Sequence, residues 1–139
     1  MKPNSNCIFC KIVKGEVPSF KVYEDKEVLA FLDVSPVNPG HVLVIPKEHF
    51  ETLLDIPNEK FTNLMPAMKK IAKAIMESMN SKGFNLGMNN YELAGQIVPH
   101  AHFHIIPRFK DDGLKHWPNQ KFKGIDMKQI EGRIKKEIK

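Results

Sequence analysis

The sequence predicts an α+β fold in which an antiparallel sheet is combined with one long helix and a C-terminal helix. Two observations favour this fold class. Short β-prone runs alternate with turn-forming residues along most of the chain. A single long segment instead repeats apolar residues at three- and four-residue steps. Short loops between strands, with one long helix among them, favour an antiparallel sheet that has its helices on one side.

The first half of the chain predicts a short lead-in and three strands. Residues 8–13 are apolar enough for a short helix or loop, and the β-prone runs are residues 20–24, 28–32 and 41–45. The turn-like pair Asp25-Lys26 separates the first two runs, which indicates a hairpin. Residues 33–40 contain Ser, Asn, Gly and two Pro, which predicts a loop.

The second half predicts the long helix over residues 58–80. Its apolar residues share one helical periodicity: Phe61, Leu64, Met65, Met68, Ile71, Ala72 and Ile75. Pro66 falls inside this pattern and should kink or interrupt the helix. Two more strands are predicted at residues 84–88 and 100–106, with a turn at 89–94 between them. Residues 109–124 predict a loop, and residues 127–138 predict an amphipathic helix.

Composition bounds the class of protein. The chain has 139 residues, of which 42% are hydrophobic and 27% charged, so we expect one globular domain over residues 1–139. No apolar run approaches the roughly 18 residues of a membrane span. The first six residues lack the apolar stretch of a secretory signal, so a cytoplasmic location is expected. The net charge is +5, but the lysines are scattered. We therefore expect phosphate-bearing small molecules as partners, with no dedicated nucleic-acid binding and no membrane binding.

Three histidines alternate in the last predicted strand. In His100-Ala101-His102-Phe103-His104, the histidines share one face while Ala101 and Phe103 face the core. A rise of about 3.3 Å per residue separates successive histidines by roughly 7 Å. Imidazole serves as a nucleophile, a general acid or base, or a metal ligand near neutral pH. The residues alone leave open catalysis, metal binding and a surface strand that is simply rich in histidine.

Cys7 and Cys10 form a Cys-x-x-Cys pair. In a chain expected in the cytoplasm, this spacing indicates metal binding or redox chemistry rather than a structural disulfide. Both sulfurs can bind one metal ion, and tetrahedral zinc then needs two more ligands, often histidines. The redox alternative calls for a thioredoxin-like βαβ context, which the sequence lacks. Thiols without a role are the third alternative.

These motifs resemble the histidine triad (HIT) family. Its signature is His-φ-His-φ-His-φ-φ, with φ apolar, and residues 100–106 match every position. The pair Gly95-Gln96, the tripeptide Phe31-Leu32-Asp33 and residues 40–49 also match the family. The segment Cys7-Ile8-Phe9-Cys10 is similar to the opening of bacterial-type, Hint-like members. The resemblance extends over about residues 7–108.

The resemblance implies a nucleotide-binding hydrolase that acts at the α-phosphate of a purine nucleotide derivative, either a nucleoside phosphoramidate or a dinucleoside polyphosphate. It makes His102 the nucleophile that forms a nucleotidyl-histidine intermediate, with His104 stabilising phosphate charge and His41 orienting the triad. Family members that transfer nucleotides carry Gln at the position of His104, so His favours hydrolysis. The main alternative is a nucleotide-binding regulatory protein without catalysis.

The resemblance also implies which residues bind the nucleotide. The matching positions are Ile8, Phe9, Phe31, Asp33, Val34, Asn89, Gly95, Gln96, His102 and His104. Asp33 would accept hydrogen bonds from the ribose hydroxyls, and the apolar residues would enclose the base. Phe31 and Val34 have an alternative as core residues, and Asn89 as a turn former. One departure is Ile97, since many members carry Ser or Thr after the Gln.

Zinc-bearing relatives imply the two remaining metal ligands, and the family resemblance implies the oligomeric state. They pair the two cysteines with a histidine after the third strand and with the first histidine of the triad. This predicts a structural zinc site of Cys7, Cys10, His49 and His100, in which His100 belongs to the metal rather than to the chemistry. The resemblance also implies a homodimer that forms through the long helix and the sheet.

Overall fold

The fold is α+β, as predicted, and the computed structural model describes residues 4–139. Residues 1–3, part of the segment used to judge a secretory signal, lie outside the described residues. The strands are β1 (Lys21–Glu24), β2 (Val28–Leu32), β3 (Val42–Pro46), β4 (Gly83–Gly87) and β5 (Phe103–Arg108). The helices are α1 (Ile8–Val13), α2 (Phe61–Met79) and α3 (Met127–Glu137). The strands form one sheet in the order β1-β2-β3-β5-β4, and all neighbours are antiparallel.

The two faces of the sheet are covered by different helices. Side chains alternate along a strand, so Val28 and Ala30 of β2 pack with α2 on one face. Leu29 and Phe31 point the other way and pack with the buried side of α1. The expectation that the helices share one side therefore does not hold for α1. Its buried cysteines and Phe9 bring α1 onto the face that also carries the histidines.

Helix α2 runs without interruption through Pro66, so of the predicted kink or interruption the interruption does not occur. A proline inside a helix removes one hydrogen bond and costs about 3 kcal/mol. The face of α2 that packs on the sheet buries Leu64, Ala67, Met68, Ile71, Ala72 and Ile75. Burial of a large apolar side chain contributes about 1.5–3 kcal/mol, so together these residues outweigh the cost of the proline. The helix ends where Asn80 adopts a left-handed conformation with φ 51°.

Strand β5 begins at Phe103, three residues later than predicted. Before it, the N–H of Ala101 donates to the carbonyl of Phe50 at 2.6 Å, so this segment pairs with a loop instead of β3. Ala101, Phe103 and Ile105 nevertheless face the core under α2, as predicted. His102 and His104 therefore lie on the face that carries α1.

The C-terminal part of the chain is a long loop followed by a helix without buried residues. Residues 113–126 contain no helix or strand. Asp126 caps α3 by accepting a hydrogen bond from the N–H of Gln129 at 3.0 Å. Every residue of α3 is exposed. Among the helices within residues 4–139, none combines the length and the apolar character needed to cross a membrane.

Candidate active site and candidate metal site

A backbone carbonyl sets the proton position on His102. Its Nδ1 lies 2.6 Å from the carbonyl oxygen of His100, which can only accept a hydrogen bond. Nδ1 therefore carries a proton, and in the neutral form of this imidazole Nε2 is the nitrogen with the lone pair. A neutral imidazole with a free Nε2 is the form that a nucleophile requires.

A second chain of hydrogen bonds sets the tautomers of His41 and His104. The N–H of Val37 donates to Nδ1 of His41 at 3.1 Å, so His41 carries its proton on Nε2. That nitrogen lies 2.9 Å from Nδ1 of His104 and donates to it. His104 consequently carries its own proton on Nε2 and presents a hydrogen-bond donor.

Both of these imidazoles are neutral near pH 7. Burial, together with the neighbouring His102 and His41, lowers the pKa of His104 from 6.5 to about 4. Burial also lowers the pKa of His41, and the charge of Asp33 opposes part of that shift. His104 thus offers an N–H donor rather than a full positive charge.

The three imidazoles predicted to be catalytic lie together on the α1 face of the sheet. The ring centroids of His102 and His104 are 5.0 Å apart, and those of His41 and His104 are 5.1 Å apart. Phe9 of α1 contacts the His102 ring edge-on at 5.2 Å. His102 and His41 are buried, whereas His104 is partly exposed. The packing holds the rings in fixed positions.

A cleft of about 750 Å³ opens beside His104. Four of the predicted catalytic and nucleotide-binding residues line this cleft: Asp33, His41, Asn89 and His104. One carboxylate oxygen of Asp33 accepts the N–H of Ser35 at 2.8 Å. The other oxygen lies 3.7 Å from Nε2 of His41. Asp33 is therefore held in place on the wall of the cleft, with acceptor capacity left for a ligand.

The apolar residues of the predicted nucleotide site are divided between core and surface. Phe9 and Phe31 are buried, with ring centroids 5.4 Å apart in an edge-on contact. Ile8 and Val34 are 42% and 83% exposed. None of the four belongs to the lining of the cleft beside His104. The alternative that Phe31 is a core residue agrees with its burial, whereas Val34 is a surface residue.

Gln96 and Gly95 shape the loop that precedes the histidines. The buried Gln96 side chain accepts the N–H of Tyr91 at 2.7 Å and donates to the carbonyl of Glu51 at 2.7 Å. Gly95 has φ 93°, and a Cβ atom there would lie 3.3 Å from the side-chain nitrogen of Asn89. Only glycine adopts this conformation easily and lets Asn89 approach so closely. Ile97, where many relatives have a hydroxyl, is 92% exposed.

The four residues predicted as metal ligands converge on one point. Sγ of Cys7 lies 3.4 Å from Nδ1 of His100, and Sγ of Cys10 lies 3.3 Å from Nδ1 of His49. The four ligand atoms all lie within 4.8 Å of one another. Nε2 of His100 donates to the carbonyl of Pro46 at 2.8 Å, so its Nδ1 lone pair faces the sulfurs.

These distances suit a tetrahedral metal site. Zinc bonds of about 2.3 Å to sulfur and 2.0–2.1 Å to nitrogen separate the two ligand atoms by about 3.5 Å. Backbone N–H groups of Asn4 and Cys10 point at the sulfurs of Cys10 and Cys7, both at 3.4 Å, and would stabilise thiolates. Without a cation, burial raises the pKa of the Cys10 thiol. Cys7, Cys10, His49 and His100 could thus hold a metal ion.

A second cluster, Asp33, His41 and His104, also brings potential ligand atoms within 4.8 Å of one another. Its hydrogen bonds argue against a metal there. Nε2 of His41 would have to lose its proton to bind a cation, but the N–H of Val37 blocks proton transfer to Nδ1. The cluster is therefore a hydrogen-bonded pair of histidines, His41 and His104, next to the carboxylate of Asp33.

Sequence reasoning missed one wall of the cleft. This wall consists of Arg108 and the loop residues Leu114, Lys115, His116 and Trp117; residues 85–88, also not predicted, line the cleft as well. The only signal was a tryptophan, the single one in the chain, within a polar segment predicted to be a loop. A lone aromatic residue in such a segment is a weak signal because its neighbours follow no helix or strand periodicity.

Comparison with known proteins agrees with this geometry. The HIT domain family matches residues 14–111. The chain is 46% identical over 134 residues to a Saccharomyces cerevisiae protein named adenosine 5'-monophosphoramidase HNT1, covering 95% of this chain and 80% of the relative. The chain therefore belongs to the HIT family.

Two solved structures extend the comparison to the fold. A crystal structure of a HIT family member from Bacillus subtilis matches with a TM-score of 0.88 and 45% identity, covering 97% of this chain and 99% of that chain. A zinc-bound histidine triad family protein from Mycobacterium smegmatis matches with a TM-score of 0.75 and 37% identity, covering 84% of each chain. The α+β architecture is thus that of the HIT family.

Proposed function

We propose that this chain is a nucleotidyl hydrolase that cleaves nucleoside phosphoramidates, or dinucleoside polyphosphates, at the α-phosphate. The observation that carries the proposal is the tautomer of His102. Its Nδ1 proton is committed to the His100 carbonyl, which leaves Nε2 free to attack phosphorus. Relatives named as adenosine 5'-monophosphoramidases support the same chemistry.

The proposed reaction has two displacements. Nε2 of His102 attacks the α-phosphorus, the bond from phosphorus to the leaving amine or phosphate breaks, and a nucleotidyl-His102 intermediate forms. The leaving amine takes up a proton from solvent as it departs. Water then attacks the same phosphorus, the bond to nitrogen breaks, and a nucleoside monophosphate leaves while the proton lost by the water returns to solvent. His104 donates its Nε2 proton in a hydrogen bond to the phosphate oxygens as their charge develops. His41 holds His104 in the tautomer that can do so.

Nucleotide binding is proposed at the residues that surround this centre. Asp33 accepts hydrogen bonds from the ribose diol with the carboxylate oxygen that Ser35 does not occupy. Asn89, held against Gly95, donates toward the phosphate. Gln96 stabilises that loop through its hydrogen bonds to the backbone of Tyr91 and Glu51, and it does not contact the ligand. A purine would lie on the surface formed by Ile8, Phe9, Phe31 and Val34, where Phe9 also contacts His102.

The metal is proposed to be zinc, with a structural role. Two cysteines and two histidines form a closed set of four ligands, which leaves no open position for a substrate. The set ties α1 to Pro46 of β3 and to the segment preceding β5 through His100. Zinc would therefore stabilise the start of the triad without taking part in bond breaking. A cytoplasmic location remains a prediction from the sequence.

We propose a homodimer because one side of α3 is apolar and exposed. Met127, Ile130 and Ile134 recur at steps of three and four residues and are 72%, 38% and 56% exposed. An isolated helix of 11 residues is marginally stable in water. A second copy that covers this apolar side would stabilise it.

The alternative function is nucleotide binding without turnover, as in a regulatory protein. Adenosine phosphoramidate separates the two functions. We expect the wild-type protein to release AMP and ammonia from it, and His102→Ala to lose at least about 10³-fold in kcat while still binding AMP. Tight AMP binding with no product from the wild-type protein would favour the regulatory function.

A further inference from the structure

Residues 50–55 form hydrogen bonds to the segment between β4 and β5, which carries Asn89 and leads to His102. Three hydrogen bonds join the two segments. The N–H of Ala101 donates to the carbonyl of Phe50 at 2.6 Å, the side chain of Gln96 donates to the carbonyl of Glu51 at 2.7 Å, and the N–H of Leu53 donates to Oδ1 of Asn90 at 2.8 Å. Residues 50–55 thus hold the segment at three points along its length.

Residues 50–55 are themselves fixed in place. Phe50 and Thr52 are buried, at 2% and 1% exposure. The backbone N–H and the hydroxyl of Thr52 both donate to the carboxylate of Asp55, at 2.9 and 2.8 Å. The same hydroxyl accepts the N–H of Leu54 at 3.3 Å. This capping box fixes the short 3₁₀ helix that begins at Leu53, and with it the direction of the Leu53 N–H.

The segment that receives these hydrogen bonds has a strained backbone at Tyr91. This residue has φ 69° and ψ 157°, a conformation that residues other than glycine rarely adopt. The N–H of Tyr91 donates to the Gln96 side chain, and its carbonyl accepts the N–H of Gln96 at 3.1 Å. Such strain persists only where the surrounding structure enforces it. The bond from Leu53 reaches Asn90, the residue directly before Tyr91, so it opposes relaxation of the strained backbone.

This outer attachment bears on the cleft through Asn89. The Asn89 side chain lines the cleft beside His104, whereas neither Asn90 nor Leu53 belongs to its lining. Two neighbouring residues therefore have different tasks: Asn89 is exposed to a ligand, and Asn90 is bonded to the support behind it. A displacement of about 1 Å in a group that contacts the reacting centre can cost up to a hundredfold in rate.

We propose that Asn90 is a positioning residue for the hydrolysis, because it accepts the Leu53 N–H and thereby holds Asn89 against the α-phosphate. This inference rests on the proposed function, in which Asn89 donates toward the phosphate. Asn90 does not contact the substrate in this proposal and acts only through the backbone of the segment.

Two variants remove the same hydrogen bond from opposite ends. Asn90→Ala removes the acceptor, and Leu53→Pro removes the donor. Proline is tolerated at the first position of a helix, and Thr52 has φ −132° and ψ 175°, the extended conformation that a residue before proline requires. Each variant should lower kcat for adenosine phosphoramidate about tenfold. The change in KM should be smaller, since charge on the phosphate oxygens is largest in the transition state.

The double variant tests whether both residues act through one bond. Leu53→Pro combined with Asn90→Ala should lower kcat no further than the more severe single variant, because the bond can be lost only once. Losses that multiply in the double variant would overturn the proposal, as would an unchanged kcat in both single variants.

Two matched controls separate the hydrogen bond from other effects of the substitutions. Leu53→Ala removes a side chain that is 39% exposed but keeps the N–H, so kcat should be retained. Asn58→Pro places proline at the first position of the next 3₁₀ helix, Asn58–Lys60, where the replaced N–H donates to no group within residues 4–139. It should also retain kcat. A tenfold loss in either control would overturn the proposal.

A binding measurement separates this inference from the proposed function. In calorimetric titration, Asn90→Ala should bind AMP roughly three- to tenfold more weakly than the wild type, while its affinity for adenosine stays unchanged, because adenosine has no phosphate for Asn89 to contact. A merely structural role would weaken both ligands. Wild-type protein that cleaves no phosphoramidate contradicts the proposed function, and the titration then decides the inference alone. Equal losses for AMP and adenosine, or none for either, would overturn the inference.

Discussion

At the scale of single residues, the chemistry of the candidate active site depends on which ring nitrogen of each histidine carries the proton. Neutral imidazole has one donor and one acceptor, and backbone groups decide which nitrogen is which. The His100 carbonyl makes Nε2 of His102 an acceptor, and the Val37 N–H makes Nε2 of His104 a donor by way of His41. The proposed nucleophile His102 and the hydrogen-bond donor His104 therefore lie side by side, with ring centroids 5.0 Å apart.

Asp33 provides a test of substrate recognition. Asp33→Asn keeps the size of the side chain but weakens acceptance from the ribose diol. The affinity for AMP should fall about ten- to a hundredfold, because a hydrogen bond to a charged group contributes about 1.5–3 kcal/mol. The affinity for 2'-deoxy-AMP should fall less, which makes the deoxynucleotide the internal control in calorimetric titration. Equal losses for both sugars would mean that Asp33 does not bind the ribose.

His104 makes stability depend on pH. The pKa of its imidazole is lowered from 6.5 to about 4 in the folded protein. Above pH 6.5 neither state binds the proton, and this residue has no effect on stability. Between pH 6.5 and about 4, the unfolded chain binds a proton that the folded chain excludes, so the free energy of unfolding falls as the pH falls.

The variant His104→Gln isolates this contribution. Glutamine retains an acceptor for His41 but does not titrate. In urea denaturation over the same pH range, its free energy of unfolding should decline less steeply than that of the wild type. Carboxylates and histidines that do not contact His104 titrate alike in both proteins, so their effects cancel in the comparison. Parallel declines would contradict the lowered pKa.

At the scale of elements, α1 is too short to be stable by itself. It has six residues, and isolated helices below about 12 residues are marginal. Burial of Phe9, Cys10 and Ile12 against the sheet stabilises it. The proposed metal would add a second attachment through Cys7 and Cys10, and so would fix Phe9 against His102.

Removal of the cysteine ligands tests whether the proposed metal has a structural or a catalytic role. The purified protein should hold about one zinc ion per chain by elemental analysis. Cys7→Ser combined with Cys10→Ser should lose that ion and on the order of 3–5 kcal/mol of stability, measured by urea denaturation. Hydrolysis should persist at a reduced rate below the melting temperature. Metal-free wild-type protein of unchanged stability would refute the zinc assignment, and immediate loss of activity on chelation with an intact fold would make the metal catalytic.

The elements show why sequence patterns predict some features and miss others. Residues 28–32 match β2 because apolar residues were bounded by clear turns. The predicted start of β5 was wrong because the backbone of Ala101 pairs with Phe50, which lies fifty-one residues earlier in the chain and in a loop. The wall formed by residues 114–117 was missed because its position depends on side-chain bonds between Arg108 and Asp112, which have no periodic pattern. The Cys-x-x-Cys pair and the alternating histidines were predictable because each motif is local, whereas the more distant His49 and His41 were predicted only from the resemblance to the HIT family.

At the scale of the whole molecule, the exposed side of α3 tests the assembly. Ile130→Glu combined with Ile134→Glu places two charges on the apolar side of the helix. We expect the wild-type protein to sediment as a dimer and this variant as a monomer. Lys128→Glu alters the charge of the same helix away from that side and should remain dimeric. Wild-type protein that sediments as a monomer at micromolar concentration would contradict the proposed homodimer.

The central claim is that His102 becomes covalently bound to the nucleotide, and rapid quenching tests it most directly. Adenosine phosphoramidate labelled at the α-phosphate is mixed with excess protein and stopped with base on the millisecond scale. The proposed mechanism predicts a transient label on the protein that is stable to base, labile to acid and mapped to the peptide containing His102. Folded His102→Ala protein should acquire none. Release of labelled AMP by the wild type without labelled protein at any time, or label on another residue, would contradict the mechanism.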